Sequence, residues 1–313
     1  MEDLLSELLA PLRLQGVFHS RWSARAPWGV AGEREHCALI HYVQEGACTV
    51  ELPELPEPVR LKAGDLVVFP HGTAHRLADS PGRPTVPLSS LLPDRSPGAV
   101  RTVEIDGPGP ATTMLCGGLH YDDSAAAPLY RALPPVLVFD REMLERQPLL
   151  SGTLDRLAGE WAGGEPGAVL VALRAFELVF VLALRVALAD LDTPVLQALR
   201  HPGISRALLA VHTRFGEQWT LESLAEEAGL SRSAFAASFR ELVGEAPMRH
   251  LTARRMQEAA RLLKESTLAH GRIAERVGYR SGVGFHLAFR QWCGMTPGEY
   301  RRLGPRRGGP AVA

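Results

Sequence analysis

From residue 202 onward the apolar positions recur at helical spacing. Leu221, Leu224, Ala225 and Ala228 lie at i, i+3, i+4 and i+7 and make one buried stripe of a short helix. Gly229 follows, the residue type that enters a left-handed turn without steric cost. Ser231 is placed to cap a second helix, whose inner face is Phe235, Phe239 and Leu242. The same order returns 49 to 50 residues later as Ile273, Ala274, Val277 and Gly278, then Ser281, Phe285, Phe289 and Trp292. Arg240, Gly244 and Pro247 are likewise answered by Arg290, Gly294 and Pro297. Between the copies Pro247 opens a helix, and Met248, Leu251, Arg255 or Met256, Ala259 and Leu262 carry its face to about Lys264. The pattern predicts two helix-turn-helix units on one linker helix, the motif that lays its second helix in the major groove of DNA. With both second helices on one side of the duplex, they would enter successive grooves about 34 Å apart.

The first half has a different period. Residues 36–78 (HCALIHYVQEG, ACTVELPE, PVRLKAGDLVVFPHGTAHRL) alternate and are punctuated by glycine and proline, which predicts antiparallel strands. Helical spacing returns over residues 152–161 and 168–191, on either side of the breaker GGEPG. In the later helix Leu173, Phe176, Val179 or Phe180, Ala183, Leu184 and Ala187 share a face, and the rest is apolar nearly all round. Such a helix needs cover on more than one side, and we expect a homodimer interface there. Residues 192–203, with Pro194 and Pro202, are expected to link the halves. The divisions are thus a β domain over 1–145, a helical dimerisation and linker segment over 146–200, a helical domain over 201–303 and a disordered tail over 304–313.

Charge follows the same division. Residues 201–313 hold 17 Lys and Arg against 10 Asp and Glu, leaving 17 against 25 before them, so an overall charge of −1 hides a basic module. All but Lys264 of those late cations are arginine, which pairs bidentately with phosphates and guanine edges. Cys37, Cys48, Cys116 and Cys293 lack CxxC spacing, which indicates neither a disulfide framework nor a thiolate zinc site and suits a reducing cytoplasm. The opening MEDLLSELLAPLRLQG is not a secretory signal, and the apolar run to Leu191 carries Arg174, Glu177, Arg185 and Asp190, too many charges for a membrane span.

The run WTLESLAEEAGLSRSAFAASFRELVGEAPMRHLTARRMQEAARLL, followed by IAERVGYRSGVGFHLAFRQWCGMTPGEYRR, resembles the AraC/XylS family over roughly Pro202 to Arg302. That resemblance implies a seven-helix DNA-binding domain and the activation or repression of transcription. Upstream, Gly64, Pro70, Gly72 and His75 reproduce GxxxxxPxGxxH, the second cupin motif, and LCGGLHYDDSAAAPLYRALPPVLVF adds to the likeness. This part resembles the cupin ligand-binding domains that precede AraC-type reading heads, which implies a double-sheet jelly roll able to enclose a ligand or a metal. The implied whole is a multidomain β plus α chain, with an N-terminal cupin barrel and a C-terminal all-α double helix-turn-helix. The first cupin motif, HxH with a downstream glutamate, is not reproduced, since Tyr42 and Val43 follow His41. Its loss argues against dioxygenase-like or isomerase-like chemistry, and no catalytic residue is assigned.

On the first reading helix the candidate DNA contacts are Arg232, Ser233, Ala236, Ala237 and Arg240, and in the second unit they are Arg280, Ser281, His286 and Arg290. Ala236 and Ala237 offer only methyl contacts, for example to thymine, so phosphate contacts and DNA shape are expected to supply much of the affinity. The candidate effector residues are Trp28, His41, His75, Cys116 and His120, the last two evenly spaced on one strand face. His41, His75, Cys116 and His120 together suit a transition metal such as zinc; an organic ligand against the apolar wall is the other reading, and no cofactor is required. The expected function is a sequence-specific DNA-binding regulator under a small-molecule or metal effector, engaging RNA polymerase if it activates. A metallocupin enzyme fused to a helical module and a DNA-architectural protein with a vestigial sensor are the alternatives.

Overall fold

The computed structural model describes residues 15–35, 37–92, 99–120, 133–163, 166–190 and 194–303. The chain divides after Asp190 into two units. Of the segment expected as a separate dimerisation and linker piece over 146–200, the part up to Asp190 belongs with the sheets and the remainder with the helical unit, and the predicted tail over 304–313 lies outside the described residues.

The first unit is built on β1 (Gln15–Arg25), β2 (Gly29–Gly32), β3 (Cys37–Glu45), β4 (Ala47–Glu51), β5 (Val59–Lys62), β6 (Leu66–Phe69), β7 (His75–Ala78), β8 (Val86–Pro87), β9 (Ala99–Ile105), β10 (Ala111–His120) and β11 (Leu137–Phe139). They form a six-stranded sheet in the order β11-β6-β3-β10-β1-β9 and a five-stranded sheet in the order β5-β4-β7-β2-β8. Pairing is antiparallel except at one edge of each sheet, where β9 lies parallel to β1 and β8 parallel to β2. Trp22, Val43, Val50, Leu61, Phe69, Leu77 and Met114 fill the space between the sheets. Gly72 shows what the motif glycines do. Its φ is +59°, and a Cβ there would lie 2.1 Å from the Glu35 carbonyl oxygen and 2.4 Å from that of Cys37. The backbone demands this glycine whatever the barrel binds.

Four helices accompany the sheets: α1 (Leu88–Leu91), α2 (Arg141–Glu145), α3 (Pro148–Gly163) and α4 (Ala168–Asp190). α4 packs against α3, β1 and β10. Its buried face is Ala172, Phe176, Val179, Phe180, Ala183, Leu184 and Ala187, close to the predicted stripe. The Phe176 ring seats on Gly117 of β10, where a Cβ would come within 2.6 Å of it. The opposite face leaves Leu170 61% exposed and Val171 51%, with Leu178 and Val181 also open.

In the second unit the segment expected as a plain linker contains a helix, α5 (Pro194–Arg200), which packs on the reading head through the buried Ala198. It is followed by α6 (Pro202–Thr213), α7 (Leu221–Ala228), α8 (Arg232–Val243), α9 (Pro247–Glu265), α10 (His270–Arg276), α11 (Gly282–Cys293) and α12 (Pro297–Arg302). One core gathers Ile204, Leu208, Leu224, Ala228, Phe235, Phe239 and Leu251, and another gathers Met256, Ala260, Leu263, Ile273, Val277, Phe285 and Phe289. Arg255 reaches from α9 to the carbonyl oxygens of Phe215 at 2.8 Å and Glu217 at 2.6 Å, fixing the loop before α7.

The turn glycine Gly278 and Gly282 at the start of α11 respond differently to a methyl group. Gly278 has φ +82° and a Cβ there would meet the Gly216 oxygen at 2.8 Å, whereas Gly282 has helical φ and open space around it. Gly278→Ala is expected to destabilise the chain by more than about 1 kcal/mol, and Gly282→Ala to stabilise it by about 0.5 to 1 kcal/mol. Denaturant unfolding of both variants measures the two signs.

Candidate DNA interface and sensor pocket

Each helix-turn-helix is set by its turn. α7 ends on Gly229 at φ +68°, whose N–H is held by the Ala225 and Glu226 carbonyls. Arg206 donates to the carbonyls of Glu227 and Ala228 at the same helix end. Ser231 then caps α8 by accepting from the Ala234 N–H at 3.3 Å. In the second copy Ser281 accepts from the Gly284 N–H at 3.1 Å. Ser281, expected as a DNA contact, is thus first a helix cap, and this places the α11 N-terminus.

With Phe235 and Phe239 buried, α8 turns Arg232, Ser233, Ala237 and Arg240 outward and leaves Ala236 half-buried. Arg232 pairs with Glu222 at 3.0 Å, both side chains being more than half exposed, so the link is weak and exchangeable. On α11, burial of Phe285 and Phe289 leaves His286 and Arg290 exposed, with Arg280 exposed just before the helix. Two residues not singled out in the sequence share that stripe: Val283 is 72% exposed and Leu287 67%. Their i, i+3, i+4, i+7 relation with His286 and Arg290 was legible; their apolar character hid them.

The first unit holds a pocket between its sheets. Its volume, including an open mouth, is about 480 Å³, and its lining includes Phe18, Trp22, Leu39, His41, His75 and Cys116. His41 projects from β3, opposite Cys116 of β10, and His75 starts β7 in the other sheet. Their Nε2 atoms meet at 3.0 Å, and His75 Nδ1 lies 2.8 Å from the Thr73 carbonyl oxygen. The His75 ring stacks on Phe69 with centroids 3.9 Å apart. Burial disfavours imidazolium and holds His41 well below its ordinary pKa, the charge of His75 adding to the effect; burial takes His75 to about 4, against the smaller opposing effect of the hydrogen bond that its Nδ1–H donates to the Thr73 carbonyl. Both rings are neutral at pH 7.

Trp28, expected in the pocket, is instead a buried core residue beside β2; the tryptophan that lines the pocket is Trp22. Strand alternation over Phe18, Ser20 and Trp22 is the signal that identifies it. The side chain of His120 lies outside the described residues.

A family model described as Cupin matches residues 3–189, and one described as a helix-turn-helix domain matches residues 224–303. The RCS-specific HTH-type transcriptional activator RclR of Escherichia coli K12 is 30% identical over 305 residues, 96% of this chain and 97% of its own. The chain belongs to the AraC family of transcription regulators with an N-terminal cupin domain. Within it, the HTH-type transcriptional regulator AlkR of Acinetobacter baylyi is 28% identical over 309 residues, 96% of this chain and 99% of its own. The DNA-binding domain of AdpA, a global transcriptional factor solved in complex with a target DNA, is 32% identical, covering 36% of this chain and 93% of that one, with a TM-score of 0.30.

These AraC-family relatives are transcription regulators, which sets the metallocupin-enzyme alternative aside. A zinc site takes three or four protein donors, and among the described residues no group of three His, Cys, Asp or Glu side chains is placed to hold a metal ion. The two imidazoles turn nitrogens toward each other, and burial pushes the Cys116 thiol well above its ordinary pKa. No helix among the described residues is long and apolar enough to cross a membrane.

The neutral histidines make this AraC-family barrel sensitive to acid. An unfolded histidine titrates near 6.5, so between about pH 6.5 and 4 the unfolded chain binds more protons than His75 does when folded. Stability is full above pH 6.5 and is expected to fall by about 1.4 kcal/mol per pH unit for each such histidine as pH drops. His75→Gln should flatten the slope by about one proton, read by hydrogen exchange of β3 and β7 between pH 7 and 4.5; an unchanged slope would count against the neutral pair.

Proposed function

We propose that the chain is a one-component, homodimeric regulator whose cupin pocket binds a small organic effector and thereby shifts how its two reading helices engage DNA. The observation that carries the DNA part is the pair of capped, outward-facing helices α8 and α11, each following a tight glycine turn. Arg232, Arg240, Arg280 and Arg290 serve as phosphate or guanine contacts, with Ser233, Ser281 and His286 beside them. Ala236 and Ala237 on α8, and Val283 and Leu287 on α11, meet thymine methyl groups, the apolar feature of the major groove. Operators rich in suitably spaced thymines follow from this reading.

Selection from a random duplex library tests it. A motif about two helical turns long should emerge, and rebuilding the selected duplex with uracil in place of thymine should weaken binding about tenfold or more by removing only methyl groups. Val283→Ala with Leu287→Ala should shrink that difference. Even recovery of all sequences would instead favour the architectural alternative.

The dimer part rests on α4, whose Leu170, Val171, Leu178 and Val181 form an exposed apolar strip on a helix already seated on the barrel by its other side. A second copy of α4 is the occupant proposed, since a self-complementary patch generates the two-fold pairing commonest among soluble oligomers. Leu170→Glu with Leu178→Glu is expected to give a monomer by analytical ultracentrifugation and to weaken operator binding while leaving the fold intact.

A further inference from the structure

The loop between α6 and α7, residues 214–220, belongs to the first helix-turn-helix by sequence, yet it is built against the turn of the second. A Cβ at Gly216 would lie 2.8 Å from the Arg276 carbonyl oxygen, and one at Gly278 would lie 2.8 Å from the Gly216 oxygen, so two backbones touch here. Beside that contact the Gln218 side-chain amide donates to the Gly278 carbonyl at 3.0 Å. Arg255 closes the junction from α9. Its Nε holds the Phe215 carbonyl and a terminal nitrogen the Glu217 carbonyl, while the guanidinium lies 5.7 Å from the centre of the Tyr279 ring. One side chain thus touches the loop of the first unit and the turn of the second.

A shared helix leaves one freedom that this junction removes. α9 fixes the angle between the units because a continuous helix resists bending, but a helix pair packed along it can still roll about its axis. A second attachment away from that axis stops the roll. Gly278 stands three residues before Ser281, the N-cap of α11, and Gln218 two residues before Thr220, the N-cap of α7. The hold is therefore passed within one turn of chain to the helices on both sides. Gln218 is an exposed residue and fills no core, so its bond serves the relative placement of the units more than their burial.

On DNA that rotation has a measurable meaning. Each added base pair moves the next groove by about 3.4 Å and turns it by about 34°. Two locked reading helices meet both grooves at one separation, whereas a rolling pair would follow the insertion. We propose that Gln218 and Arg255 are positioning residues that set the base-pair spacing the regulator accepts, by locking the two helix-turn-helix units in one rotation about α9. The inference rests on the reading of α8 and α11 as the two helices that enter DNA.

The test is titration of the full-length protein, followed by fluorescence anisotropy, with the operator selected from the random library and with the same operator one base pair longer or shorter between its two halves. Wild-type affinity should fall about tenfold or more on either change. Gln218→Glu sets a carboxylate against the Gly278 carbonyl at an exposed position, and Arg255→Met keeps the stem and removes the donors. Each should cut that penalty to about threefold or less. Taking the ratio of affinities within each variant cancels any general gain or loss of binding. Ile204→Val, which loosens the first core at the far end of α6 from the loop, should keep the wild-type ratio. If Arg255→Met does not fold, Gln218→Glu decides by itself. A wild-type penalty in Gln218→Glu, or a wild-type protein indifferent to spacing, overturns the inference and leaves the regulator standing. Failure to select any operator removes the DNA reading itself, and this inference with it.

Discussion

The reading half depends on α9 being one uninterrupted helix. Leu251 is buried in the core of the first helix-turn-helix and Met256, little more than one turn along, in the core of the second. Neither core closes without its share of that helix, so the angle between the two units is set by rigid backbone. Phe215 packs against both cores, and Arg254 stacks over its ring at 4.4 Å while Arg255 binds its carbonyl. Two short helical pairs, each too small to bury a core alone, become a single object through these contacts.

The barrel half is held together differently. Its jelly roll places a polar pair where the two sheets face each other, and the low dielectric there makes any unmatched group costly. One imidazole from each sheet, meeting nitrogen to nitrogen, satisfies three of four ring nitrogens. The fourth, His41 Nδ1, is buried with no partner among the described residues.

The sequence made the helical half legible almost to the residue, because the same caps, turn glycines and phenylalanines occur twice and each copy checks the other. Ser231 and Ser281, Gly229 and Gly278, Phe235 and Phe285 all hold the places their spacing indicated. The barrel was legible in kind but less so in detail. His75 is legible from the second cupin motif and meets His41 between the sheets, whereas Trp22 lies on β1, ahead of the alternating residues 36–78. Parallel edge pairs such as β1 with β9 depend on contacts across some eighty residues, which local alternation cannot encode. Val283 and Leu287 carry no polar signal in the sequence, and only their exposure on the reading helix places them in the contact stripe.

Gly117 gives the barrel a wall one backbone thick. On one side it lines the pocket beside Cys116, and on the other it bears the Phe176 ring of α4, with no side chain between. Close-packed interiors do not absorb displacement; they pass it on. Any occupant of the space between the sheets would therefore press, through a single peptide, on the helix whose outer strip is apolar and exposed, making that strand less a partition than a diaphragm.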